Sequence, residues 1–502
     1  MYKHQVAKNA VLSIAQIVVS GIVLFILYRY LLDKLGAAQL GIWSLVFATV
    51  SVSRISELGL SGSALKFVAQ YRAQNNVKKA SGVIQTALIS IAVFMSLILL
   101  IAYPLTKWIL EQIIPSDELI IALNLLPYAL FSLWLTSIAG VIQSSLEGCQ
   151  RFDLRAYVQM GTHILYLVLA IKLVPHYGLY GVAYAQLFQV LLLLIINWLL
   201  LRHLIVRLPI IPLCWSLNLF RETFSYGFHF QIISIAQIIY DPVTKVWLSH
   251  FGGLELTGYY EMATRLIQQL RAILVSANRV LIPLFTELST QESLKIKNLY
   301  ENSYRLLFYF AIPFYGGILA MIAPFSEVWL GYYETHFVIF TIVLAVGWLI
   351  NTLSTSAYTA YLGIGNLRWN TISHLVIALL NGLLGFGLGT FYGGLGVVMG
   401  WVISLIVGSS ISVYMIHREY NISLIILLPQ ESRSLVWTVG IGVLMGWISY
   451  DICHYLAFLS NAVTFGSIWL VYMFAVIYPI LQHPWRTKVT DMLLPIFYIS
   501  PR

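Results

Sequence analysis

Fourteen stretches of this chain are apolar for long enough to cross a lipid bilayer, and the connectors between them are short. They are residues 9–31, 39–60, 81–105, 119–146, 156–174, 180–201, 223–249, 257–286, 304–328, 336–363, 371–391, 394–416, 434–452 and 461–481. About twenty apolar residues in a helix match the ~30 Å of bilayer hydrocarbon. Charged residues make up 10% and hydrophobic ones 59% of the 502, where a soluble domain carries about a quarter charged. The expected fold is therefore all-α, a polytopic membrane protein of about fourteen transmembrane helices. Lys3 and Lys8 precede an apolar run, Asn9 to Tyr30, that is too long for a signal-peptide core, so it reads as a retained first helix.

Basic residues test that count, because cytoplasmic connectors collect Lys and Arg. With the N-terminus inside, the inner connectors hold Lys66, Arg72, Lys78 and Lys79; Arg151 and Arg155; Arg202, Arg207 and Arg221; Lys295, Lys297 and Arg305. The outer side holds only Arg29, Lys34, Lys107 and Lys172. Both termini are then cytoplasmic, and the net charge of +9 reports topology; it implies no nucleic-acid partner. Residues 61–80 read as one of these inner connectors.

The chain also repeats itself at a spacing of about 215 residues. Leu35-Gly36 with Gly41 returns as Gly252-Gly253 with Gly258, and Tyr177-Gly178 with Gly181-Val182 returns as Tyr392-Gly393 with Gly396-Val397. An offset of six helices keeps orientation, so the repeat is parallel. It divides the chain into a six-helix bundle at 1–207, a second at 208–420, and two further helices with a tail at 421–502.

The stretch from Glu222 to Leu288 is the most informative. It reads as two long apolar helices joined by a short turn, His250 to Thr257, and carries Asp241, Lys245, Glu261, Arg265, Arg271 and Arg279. A charge at the centre of a spanning helix costs about 3 kcal/mol or more, so such residues face partners or a wet cavity. Asp241 and Lys245 are four apart on a face with Gln237; Glu261 and Arg265 are four apart on a face with Arg279. Arg54 and Glu57 in the second segment, Gln16 in the first and Asn351 in the tenth add polar groups. Each has a plainer reading beside the functional one. Arg54, Lys245 and Arg279 lie near helix ends, where side chains snorkel, and Glu261 with Arg265 reads equally as a structural pair. Arg271 sits mid-helix with no acid three or four residues away in its own helix. The pattern points to a membrane cavity for an anion.

The motifs Leu35-Gly36-Ala37-Ala38-Gln39-Leu40-Gly41-Ile42-Trp43, Glu57-Leu58-Gly59-Leu60, Lys66-Phe67-Val68-Ala69-Gln70-Tyr71-Arg72, Glu147-Gly148-Cys149-Gln150-Arg151-Phe152-Asp153 and Gly258-Tyr259-Tyr260-Glu261-Met262-Ala263-Thr264-Arg265 occur in that order. They resemble the polysaccharide transporter, or oligosaccharide flippase, family of the multidrug/oligosaccharidyl-lipid/polysaccharide exporter superfamily. The resemblance implies two six-helix bundles in a V, like the multidrug exporters of that superfamily, with two extra C-terminal helices. It implies a flippase that moves a polyprenyl-diphosphate-linked oligosaccharide from the inner to the outer leaflet of the cytoplasmic membrane by alternating access. Where the family usually has Asp, this chain has Glu57. On this reading Arg265, Arg271, Arg279 and Arg54 hold the diphosphate, for which a guanidinium offers a planar fork that never deprotonates. Glu57, Asp241 and Glu261 are candidates for coupling to a proton or sodium ion, and Lys245, Gln237, Gln16 and Asn351 line the cavity. Polysaccharide polymerase machinery is a candidate partner.

Three other classes were weighed. A cation-coupled multidrug exporter calls for acid-dominated cavities, whereas basic residues outnumber acids here. A membrane-embedded glycan polymerase or ligase calls for a sizeable outer loop, and the outer connectors are short. A passive channel is the third. No GxxxxGK[ST] loop is present, the three cysteines Cys149, Cys214 and Cys453 are scattered, and no His–acid spacing suggests a metal, so no catalytic residue, metal or cofactor is expected. The topology has a direct test. Cysteines introduced as Pro115→Cys or Glu255→Cys are expected to react with an impermeant maleimide from outside, and Asn75→Cys or Lys295→Cys only after lysis; the reverse pattern overturns it.

Overall fold

A computed structural model describes residues 2–51, 60–206, 208–278, 281, 285, 293–456 and 460–487. Arg54, Glu57 and Arg279 lie outside the described residues. Among the described residues there is no strand, and ten helices are long and apolar enough to cross a membrane. The helices are α1 (Tyr2–Ser51), α2 (Leu60–Ala73), α3 (Val77–Ile113), α4 (Ser116–Gly148), α5 (Phe152–Tyr177), α6 (Leu179–Leu204), α7 (Leu217–Asn278), α8 (Ser293–Leu330), α9 (Thr335–Ile364), α10 (Arg368–Glu419), α11 (Arg433–Leu456) and α12 (Asn461–Gln482).

Three of these are too long for one span, and each breaks at a single glycine. Gly36 (φ 82°, ψ 166°) divides α1, Gly253 (φ 82°, ψ 175°) divides α7 and Gly393 (φ 60°, ψ −145°) divides α10. The expected turns before segments two, eight and twelve are thus kinks one residue wide. A residue at positive φ redirects the chain while its neighbours stay helical, and only glycine does so without a Cβ clash. Gly36 and Gly253 share one backbone conformation; Gly178 (φ 55°, ψ −133°), between α5 and α6, shares that of Gly393. The same torsions recur at the positions that the sequence repeat pairs.

Two compact units are present, Met1–Gly258 and Tyr259–Arg502. In the first, α4 packs on α2, α3 and α6, and α1 packs on α5. The residues read as an inner connector contain helix α2. It is amphipathic: Phe67, Val68 and Tyr71 are buried while Lys66 and Arg72 are exposed. Its charges hid a helix. Tyr71 donates to both carboxylate oxygens of Glu222 (2.9 and 3.0 Å), Ser63 to the Thr223 carbonyl (2.7 Å), and Arg72 to the Cys149 carbonyl after α4 (3.0 Å). Gly41 and Gly258 make a reciprocal contact. A Cβ on Gly41 would overlap the Leu254 carbonyl, and one on Gly258 the Ala37 carbonyl.

In the second unit α8 packs on α9, α11 and α12. The outlying pair of apolar segments forms α11 and α12, which grip α8 through its carbonyls and a carboxylate. Tyr309 in α8 donates to the Ile480 carbonyl (3.0 Å), Tyr472 to that of Pro313, Trp447 to that of Leu319 (3.0 Å), and Tyr450 to Glu327 (2.6 Å).

The glycine contact predicts an asymmetric mutational response. Gly41→Ala and Gly258→Ala are each expected to cost about 1–3 kcal/mol or more, because a backbone carbonyl cannot yield as a side chain can. Gly62→Ala, in open space on α2, is expected to be neutral or stabilising by up to ~1 kcal/mol. Thermal unfolding in detergent checks this; equal melting of all three variants would contradict the contact.

Candidate functional site

The intramembrane charges are built by helix periodicity first. On α7, Asp241 and Lys245 are one turn apart and join at 2.6 Å. Their burial is unequal: the Lys245 side chain is 2% exposed and that of Asp241 41%. The snorkelling alternative for Lys245 is excluded, since its ammonium is drawn into the protein. Gln237, one turn before Asp241, is exposed, and Gln16 on α1 is half-buried. Beyond the kink at Gly253, Glu261 and Arg265 form the second pair at 2.7 Å, with Glu261 3% and Arg265 47% exposed. The first pair thus presents its acid and buries its base, and the second does the opposite.

Arg271 is held differently. Its Nη2 donates to Oδ1 of Asn351 on α9 (2.7 Å), and Nδ2 of Asn351 donates to Oγ of Ser409 on α10 (2.7 Å). The guanidinium carbon lies 4.7 Å from the centroid of the Trp348 ring, within cation–π range. Trp348 in turn meets Trp401 edge-on at 6.2 Å. Thr352, next to Asn351 in the chain, is bonded to Tyr315 on α8 (2.9 Å). Arg271 is half-buried in this cluster. A guanidinium fixed by an amide on one edge and an indole on its face loses less rotamer freedom when it meets an anion.

The structure thus brings Arg271 and Asn351 together. It adds Trp348 and Ser409, which the sequence reading passed over. Trp348 stands three residues before Asn351, so both point from one face of α9; that spacing was the available signal. Ser409 carried none, because its role depends on α10 packing against α9. Other members of the polar stripe on α9 do local work. Ser354 bonds the Asn351 carbonyl (2.7 Å) and Tyr361 bonds Glu419 (2.9 Å). Among the described residues no group of three or more His, Cys, Asp or Glu could hold a metal ion.

A family model described as "Polysaccharide biosynthesis protein" matches residues 35–338. No curated protein matches the chain. Solved structures do. A lipid II flippase, MurJ, in an inward closed conformation is 12% identical, with 97% of this chain and 99% of that chain covered and a TM-score of 0.69. An inward-facing multidrug resistance MATE family transporter of the MOP superfamily is 14% identical, covering 79% and 94%, with a TM-score of 0.65. A MOP superfamily transporter from Pyrococcus furiosus is 15% identical, covering 83% and 96%, with a TM-score of 0.56. At these identities the likeness is one of fold: a multi-pass, all-helical membrane protein built as the MurJ and MATE transporters are.

Proposed function

This chain belongs to the polysaccharide biosynthesis protein family, and on that premise we propose that it is a flippase for a polyprenyl-diphosphate-linked oligosaccharide, carrying it from the inner to the outer leaflet of the cytoplasmic membrane. The observation that carries this reading is the setting of Arg271. A permanently charged guanidinium is kept half-buried on α7 and oriented by Asn351 and the Trp348 face. A diphosphate is the part of such a substrate that needs this, since a charged phosphate crossing hydrocarbon requires a fixed counter-charge. The fold likeness to a lipid II flippase supports the same class of cargo. Arg265, tied to Glu261, supplies a second and more compensated cation; Arg54 and Arg279 complete the proposed set. The two repeats, 1–207 and 208–420, alternate access, 421–502 adds the last two helices, and both termini are cytoplasmic. Polysaccharide polymerase machinery would receive the product.

The binding test uses a short-chain polyprenyl-diphosphate sugar and purified, folded variants. Loss of a charge-assisted bond of about 1.5–3 kcal/mol is expected to weaken binding by roughly ten- to a hundredfold in Arg271→Ala, and by less in Arg265→Ala. Arg271→Lys is expected to recover only part, because an ammonium lacks the planar fork. Wild-type affinity in both alanine variants would end the reading.

Ion coupling in this scheme falls to Asp241, Glu261 and Glu57. Protonation or sodium binding at Asp241 or Glu261 would compete with Lys245 or Arg265 for the carboxylate. Amide replacements, singly and together, are expected to abolish gradient-driven transport in vesicles while leaving the protein folded. Undiminished gradient response in the triple variant would remove these acids from the mechanism.

A further inference from the structure

Residues 208–216, between α6 and α7, form neither helix nor strand, yet side chains of α3 and α6 take up several of their polar groups. The Ile210 carbonyl accepts from the Trp198 indole (3.0 Å) and the Leu208 carbonyl from Nε of Arg202 (3.4 Å), both on α6. On the other side, Oε1 of Gln85 on α3 accepts from the backbone N–H of Leu213 (3.3 Å) and of Cys214 (3.1 Å). Oγ1 of Thr86 accepts from the N–H of Ser216 (3.3 Å), and Oγ of Ser90 from the Trp215 indole (3.0 Å). Pro209 and Pro212 have no N–H to satisfy. The acceptors Gln85, Thr86 and Ser90 are all buried on α3. The segment turns its apolar side chains outward instead: Ile210, Ile211 and Leu213 are exposed, the last at 79%.

This is the inverse of a water-borne connector. Water would hydrate the backbone and leave the apolar side chains to turn inward; hydrocarbon demands the reverse. Depth agrees. Helix α3 has 37 residues, about 55 Å, against ~30 Å of hydrocarbon. Centred on the bilayer, α3 would place Gln85, about 12 Å from its start, at the hydrocarbon boundary, and Ser90, about 20 Å from its start, inside it. The outward apolar surface runs on from Ile195 and Leu199 of α6, which are exposed as lipid-facing residues are. The second repeat has a similar arrangement. After α10, the short 3-10 turn Leu424–Leu427 exposes Leu424 and Ile425 while Tyr304 of α8 donates to the Leu427 carbonyl (3.2 Å).

We propose that residues 208–216 are embedded at the headgroup–acyl boundary of the leaflet where α3 begins, with Trp215 as the interfacial anchor on Ser90 and with Gln85 and Thr86 replacing water for the N–H groups of Leu213, Cys214 and Ser216. The occupant of the outward face is the lipid bilayer itself. The connector between the two repeats is then held in the membrane, and movement of one repeat drags it through lipid.

Cys214 is native, exposed and central to the segment, whereas Cys149 is buried. The full-length chain carrying Cys453→Ser is labelled at Cys214 with bimane and reconstituted in phosphatidylcholine–phosphatidylglycerol vesicles, with a Cys214→Ser chain as background. Quenching by a lipid with a nitroxide high on its acyl chain is compared with quenching by aqueous iodide. The proposal expects lipid quenching to exceed iodide quenching, with loss of most of the iodide quenching seen for free dye. Iodide quenching equal to or above that of the lipid places the segment in water and overturns it. Gln85→Leu, which removes the acceptor for two N–H groups, is expected to shift the balance toward iodide; an unchanged balance would overturn the role given to Gln85.

Discussion

Hydrocarbon cannot donate or accept a hydrogen bond, and most of this architecture follows from that. A buried backbone group left without a partner costs several kcal/mol, so the spanning chain is helical and its interruptions are brief. At Gly36, Gly253 and Gly393 the ladder breaks at one residue. Where it is lost for longer, over 208–216, side chains of α3 and α6 supply part of what the helix would have given.

Charge obeys the same rule with larger energies. The ammonium of Lys245 is almost fully enclosed and the carboxylate of Glu261 nearly so. Each has its opposite charge one helical turn away. The exposed members, Asp241 and Arg265, are the ones an ion or anion would meet first. Arg271 is held by an amide and an indole.

Glycine does two jobs in this chain, and they belong together. At Gly36 and Gly253 it supplies a backbone turn; a few residues later, at Gly41 and Gly258, it lets one chain segment lie against the carbonyl of another. The second contact is reciprocal, Gly41 on Leu254 and Gly258 on Ala37. The α11–α12 pair lies outside the sequence repeat and is fastened to α8 by bonds to backbone carbonyls of that helix.

The amino-acid sequence by itself determined the membrane class, the all-helical fold, the recurrence of the glycine motifs and the two i,i+4 charge pairs. All of these are local: twenty apolar residues, a glycine spacing or a four-residue step has the same meaning wherever it occurs along a helix. The family, too, was legible from short ordered motifs. What the sequence could not contain is which surface of each helix meets which neighbour. That left α2 looking like a charged loop, because its buried Phe67, Val68 and Tyr71 mean nothing until α4 covers them. It left open which partner of each pair is enclosed, and it left Trp348 and Ser409 unremarked beside Arg271. Those facts were decided by tertiary packing, which joins residues from α7, α9 and α10 that lie 80 and 58 positions apart and that no periodicity along one helix can relate.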